Sequence, residues 1–129
     1  SLNHYAYGAI GQWMYERIAG LASLAPGYKK IRIAPLPNTE FLNSASASVK
    51  TPYGKASSSW KIENASFSLD IVIPPGTSAE IHIPYGNKDQ LLVNGSVFTE
   101  NSNLKLMSSE NNSVKILAEP GTYNFQTKL

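Results

Sequence analysis

Lys55-Ala56-Ser57-Ser58-Ser59-Trp60-Lys61-Ile62-Glu63, the pair Asn64-Ala65, and Ser66-Phe67-Ser68-Leu69-Asp70-Ile71-Val72-Ile73 form the stretch that decides the fold. Side chains alternate across a strand with period two. In the first run Ala56, Ser58, Trp60 and Ile62 share one face, and Ser57, Ser59 and Lys61 share the other. In the second run Phe67, Leu69, Ile71 and Ile73 fall on one face. Neither run carries the three-four spacing of an amphipathic helix, so both read as strands joined by a turn at Asn64-Ala65.

The same grammar extends in both directions. Thr51-Pro52-Tyr53-Gly54 is a turn, preceded by the small alternating run Ala45 to Lys50 and, earlier, by Lys30-Ile31-Arg32-Ile33-Ala34. Downstream, Pro74-Pro75-Gly76 breaks the pattern, Ala79, Ile81 and Ile83 share a face, and Tyr85-Gly86-Asn87 breaks it again. Leu91 to Val93, an Asn94-Gly95 hairpin signal, Val97-Phe98, Leu104 to Met107, Val114 to Ala118, a Pro120-Gly121 turn and Thr122 to Gln126 complete the series. Strands recurring every eight to twelve residues predict a mainly β chain, an antiparallel sandwich of jelly-roll type.

The opening segment differs. Ile10, Trp13, Met14, Ile18 and Leu21 follow one helical face, extended by Tyr7, with Ser1 or Asn3 able to cap it. The spacing predicts a helix ending near Leu21, then a linker from Ala22 to Tyr28 containing Pro26-Gly27. Gly8, Gly11 and Gly20 are costly in a helix and suit close approach to a neighbour. The expected division is therefore 1–28, a helix and linker belonging to something upstream, and 29–129, the β-domain. The chain opens on Ser1 rather than Met, which fits a fragment of a longer protein.

Of 129 residues, 42% are hydrophobic and 16% charged, enough apolar content for one packed core. A net charge of +2, evenly dispersed, does not suggest nucleic acid or a membrane surface as a partner. No run approaches the length of a membrane span. The absence of cysteine excludes disulfides, thiolate metal sites and cysteine nucleophiles. It leaves the compartment open between cytoplasm, periplasm and secretion.

Candidate chemistry is sparse. His4, among Asn3, Tyr5 and Tyr7, can donate to a sugar hydroxyl or orient a carboxylate; equally, it can cap the helix. His82 alternates out of phase with Ile81 and Ile83, as an exposed strand histidine does. Neither histidine has metal-ligand spacing, so no metal and no cofactor is expected. Glycoside hydrolysis needs two carboxylates flanking the scissile bond, and none of the nine acidic residues forms such a pair on sequence grounds. Tyr53, Trp60 and Tyr85 are candidates for a sugar-stacking surface, although the phase of Trp60 with Ala56 and Ile62 favours the core. Ser57-Ser58-Ser59 lacks a nucleophile-elbow context. Sequons at Asn64, Asn94 and Asn111 mark surface turns.

Several blocks in order are similar to the C-terminal region of bacterial α-L-rhamnosidases. They are Ser1-Leu2-Asn3-His4-Tyr5-Ala6-Tyr7-Gly8 with Trp13; Pro26-Gly27-Tyr28-Lys29-Lys30-Ile31-Arg32-Ile33-Ala34-Pro35; Ser48-Val49-Lys50-Thr51-Pro52-Tyr53-Gly54; Ser58-Ser59-Trp60-Lys61-Ile62; and Val72-Ile73-Pro74-Pro75-Gly76-Thr77. The resemblance covers residues 1–85 best. It implies that residues 1–21 are the last helix of an α/α barrel catalytic domain and that the β-domain follows it. It implies a parent enzyme that hydrolyses terminal α-L-rhamnose with inversion, through an acid and a base glutamate lying upstream of this segment. The fragment itself then has no catalytic residue. The family histidine that lines the rhamnose pocket falls on His4. Implied partners are the upstream barrel and, in the intact enzyme, rhamnose-containing glycosides or polysaccharides. A carbohydrate-binding module without catalysis is the alternative.

Overall fold

The computed structural model describes residues 20–24, 29–37 and 43–129. The helix expected over residues 1–21 lies outside them except at its end, and the linker is described only at 22–24. At those positions there is a strand. The elements in chain order are β1 (Leu21–Ser23), β2 (Lys30–Ile33), β3 (Ser44–Thr51), β4 (Gly54–Glu63), β5 (Ser66–Ile73), β6 (Ser78–Ile83), β7 (Leu92–Val93), β8 (Ser96–Val97), β9 (Leu104–Glu110), β10 (Ser113–Ala118) and β11 (Gly121–Lys128). The described residues are thus mainly β.

They form two sheets. One has the order β1-β2-β6-β10-β9, the other β3-β4-β5-β11-β7-β8. Pairings are antiparallel except β2 with β6, which is parallel and sets Ile31 beside Ala79 and Ile33 beside Ile81. This departs from the all-antiparallel expectation. Its cause is connectivity: between β2 and β6 the chain crosses to the other sheet and lays down β3, β4 and β5 before returning. A parallel pair requires such a long crossover.

A single buried cluster draws on both sheets. Ile31, Ile33, Ile81 and Ile116 come from the first, and Trp60, Phe67, Leu69, Ile71 and Phe125 from the second. Each is the inward half of the alternation read in the sequence, and a large side chain removed from water contributes about 1.5–3 kcal/mol. The decisive hairpin is as expected. β4 and β5 pair in register from Ser57 opposite Val72 to Glu63 opposite Ser66, around Asn64 and Ala65 at φ 52° and 58°. Asn94 (φ 51°) and the pair Asn111 and Asn112 (53° and 57°) make turns of the same left-handed kind.

β1 stands where the end of the helix and the start of the linker were expected. Leu21 is buried and pairs with Ile33, and Ala22 pairs with Arg32. Gly20 sets this geometry: its φ is +85°, and a Cβ there would lie 2.2 Å from the carbonyl carbon of Ala34. The Ala34 amide donates to the Gly20 carbonyl at 2.8 Å. Gly20 therefore permits backbone-to-backbone contact at the start of a strand.

Candidate functional site

The aromatic residues that could have formed one surface are separated by the sheet. Trp60 is 1% exposed, at the centre of the core, with its ring 6.2 Å from Phe67. Phe67 meets Tyr85 edge-on at 5.5 Å, and Tyr85 is half-buried. The three rings make one continuous packed row toward the Ser66 end of β5. A sugar cannot reach the Trp60 ring in this arrangement, which overrides its candidacy for stacking.

Tyr53 stands at the opposite end, on the β3–β4 hairpin. The eight residues of β5 place it roughly 20 Å from Tyr85. Pro52 and Tyr53 occupy the centre of the turn. The Thr51 hydroxyl donates to the Gly54 carbonyl at 2.7 Å and accepts from the Tyr53 amide at 3.0 Å. That closes the turn on both sides and fixes the direction of Tyr53. The ring, 37% exposed, rests on Gly76 of the β5–β6 connection, where a Cβ would come within 2.8 Å of Tyr53 Cδ1. Glycine at 76 is what lets the ring lie down. Two of the sequence blocks read above, Thr51 to Gly54 and Pro74 to Thr77, are thus in contact.

His82 lies on the outward face of β6, half-buried, opposite Lys115 on β10, with Glu80 on its own strand and Arg32 on β2. Burial, then the positive charges of Lys115 and Arg32, hold its pKa below the ordinary 6.5, with Glu80 opposing them. His82 is accordingly neutral at pH 7. His4 lies outside the described residues.

A cleft not legible in the sequence opens at the β7–β8 edge. It encloses about 250 Å³ and is lined by Asn94, Ser96, Thr99, Asn101, Asn103 and Tyr123, among others. Much of its polar surface is committed to the fold. Asn101 Oδ1 accepts from the amides of Asn103 and Leu104, and Asn94 Oδ1 accepts from the amide of Asn124. The Tyr123 hydroxyl donates to the Glu119 carbonyl at 2.9 Å. Burial and the Glu119 carboxylate raise the Tyr123 pKa above its usual 10.0. The only signal in the sequence was the run of asparagines at 94, 101 and 103. Among the described residues no three His, Asp or Glu converge on a point, and no helix is long and apolar enough to cross a membrane.

The family described as the bacterial alpha-L-rhamnosidase C-terminal domain matches residues 20–97, more than half of the chain. The chain belongs to that family. An alpha-L-rhamnosidase of Formosa agariphila is 57% identical over 128 residues, which are 99% of this chain and 14% of that protein. The crystal structure of the Streptomyces avermitilis alpha-L-rhamnosidase complexed with L-rhamnose superposes on 99% of the chain with a TM-score of 0.78 at 32% identity, using 12% of its own length. The alpha-L-rhamnosidase from Dictyoglumus thermophilum superposes on 95% of the chain with a TM-score of 0.73 at 25% identity, again using 14% of its length. This rhamnosidase C-terminal domain therefore corresponds to a small part of much larger relatives. Its family match begins at residue 20, immediately before the first described strand.

Proposed function

We propose that this domain is the accessory C-terminal β-sandwich of an α-L-rhamnosidase-type glycoside hydrolase, of jelly-roll character. In this proposal the hydrolysis of terminal α-L-rhamnose is carried by an upstream α/α barrel of the same chain. The observation that carries the proposal is the family match on residues 20–97, combined with coverage of only 14% of a relative that is 57% identical. The division falls near Gly20 rather than near residue 28, because Leu21–Ser23 is integral to the first sheet. Residues before Gly20 belong to the catalytic unit, and His4 contributes to the rhamnose pocket there. The domain's physical work is to supply a rigid body against which the end of that unit packs.

The test is hydrolysis of an aryl α-L-rhamnoside by this chain and by the intact parent enzyme. The parent is expected to be active and the isolated chain to be indistinguishable from buffer. Release of rhamnose by the isolated chain would overturn the assignment. In the intact enzyme His4→Ala is expected to raise KM for the rhamnoside by about tenfold or more, the scale of one lost polar contact to substrate.

A further inference from the structure

The β3–β4 hairpin carries an electrostatic arrangement that the fold does not need. Lys50 and Lys55 are directly opposite in register. Like charges facing one another across an antiparallel pair destabilise it. Both are exposed, and neither makes an ion pair among the described residues. Tyr53 sits between them along the chain, its ring held against Gly76 and 37% exposed.

The outward face of the second sheet continues from this tip. Ser48 pairs with Ser57, Ser57 with Val72, and Val72 with Thr122, so these four side chains form a row across β3, β4, β5 and β11. Ser48, Val72 and Thr122 are exposed, and Val72 is a solitary apolar group among hydroxyls. The nearest carboxylate in the next row, Asp70, accepts from Asn124 Nδ2 at 2.8 Å. It therefore has a partner of its own.

We infer that this tip and row bind an acidic saccharide. Tyr53 and Val72 offer apolar surface to the C–H faces of the sugar rings, Lys50 and Lys55 pair with carboxylate or sulfate groups, and the hydroxyls of Ser48 and Thr122 meet ring hydroxyls. An acidic ligand also removes the Lys50–Lys55 repulsion that the free domain carries. The upstream catalytic unit is the less suitable occupant. The chain arrives at Gly20, against Ala34, whereas the tip lies toward the other end, where Lys30 pairs with Ser78. The inference uses the proposed glycosidase context only to choose saccharides as the ligand class.

The experiment is titration of the 129-residue chain with polygalacturonate, dextran sulfate and neutral dextran, following affinity electrophoresis and amide chemical shifts. Polygalacturonate is expected to bind, neutral dextran not to bind, and the affinity to fall as salt rises. Tyr53→Ala, and Lys50→Gln with Lys55→Gln, are each expected to raise the Kd for polygalacturonate at least about tenfold. The thermal midpoint of the double lysine variant should stay level or rise, which separates loss of binding from loss of folding. Dextran sulfate shows whether sulfate can replace carboxylate, with Tyr53→Ala weakening that binding too. Polyanion binding unaffected by Tyr53→Ala would mean simple charge adhesion and overturn the inference. So would the absence of binding at millimolar sugar residues. Neither result bears on rhamnoside hydrolysis by the parent, so the two proposals fail separately.

Discussion

Tyr85 and Tyr53 are the same residue type at the two ends of one β-body, and the structure treats them in opposite ways. Tyr85 closes a row with Phe67 and Trp60 and is half-buried by it. Tyr53 rests on Gly76, stays 37% exposed, and lies in the turn between Lys50 and Lys55, neither of which makes an ion pair among the described residues. The difference teaches that an aromatic residue in a turn is not by itself a recognition feature. What its neighbours leave uncovered, and what charge they bring, decides whether it serves packing or contact with another molecule.

The comparison breaks first at Trp60. Trp60→Ala should lower unfolding free energy by about 3–5 kcal/mol in urea denaturation, as removal of a large core side chain does. Tyr53→Ala should cost less than about 1 kcal/mol in the same assay. Equal losses would mean that the tip is part of the core. Gly20→Ala should cost about 2 kcal/mol, because the new methyl meets the Ala34 carbonyl carbon at 2.2 Å and the backbone stands at positive φ. An unchanged denaturation midpoint would show that β1 is dispensable.

Thr127 gives a smaller effect of opposite sign. Its hydroxyl is buried at the Tyr85 end without a hydrogen-bond partner among the described residues. Thr127→Val should raise stability by about 1 kcal/mol, measurable as a higher midpoint. The smallest effect concerns His82. Its pKa is lower in the folded chain than the ordinary 6.5, so below about 6.5 the unfolded chain binds more protons. Stability is therefore expected to fall as pH drops from 7 through the folded pKa. His82→Asn should flatten that fall in thermal melts at pH 7, 6 and 5. A parallel fall in both proteins would place the titration elsewhere.

The inward faces of the sheets were legible because burial on one side imposes period two, and Ile31, Ile33, Phe67, Leu69, Ile81 and Ile83 record it directly. The turns at Asn64 and Asn94 were legible because asparagine tolerates a left-handed backbone. β1 was not. It has three residues, too few for a period, and Leu21 happened to continue the spacing of Ile10, Met14 and Ile18. The parallel pairing of β2 with β6 was hidden for another reason: alternation tells which face a residue occupies, never which strand lies beside it. The cleft at Asn94 to Asn103 was not legible because the sequence marks the turns there and not the space they enclose. Tyr53 was visible as a residue, but its exposure depended on Gly76, twenty-three positions away.

The placement of β10 and β11 has a consequence for how the protein is made. β10 lies between β6 and β9, and β11 between β5 and β7. Interior strands of both sheets are thus supplied by residues 113–128, after every strand they join has been made. Until then β6 and β5 each present an open edge, and contacts of large sequence separation must wait for the whole chain. A chain cut after residue 97 would lack β9, β10 and β11, leaving β6 as an edge and β5 separated from β7. Both sheets therefore close only once residues 113–128 are available.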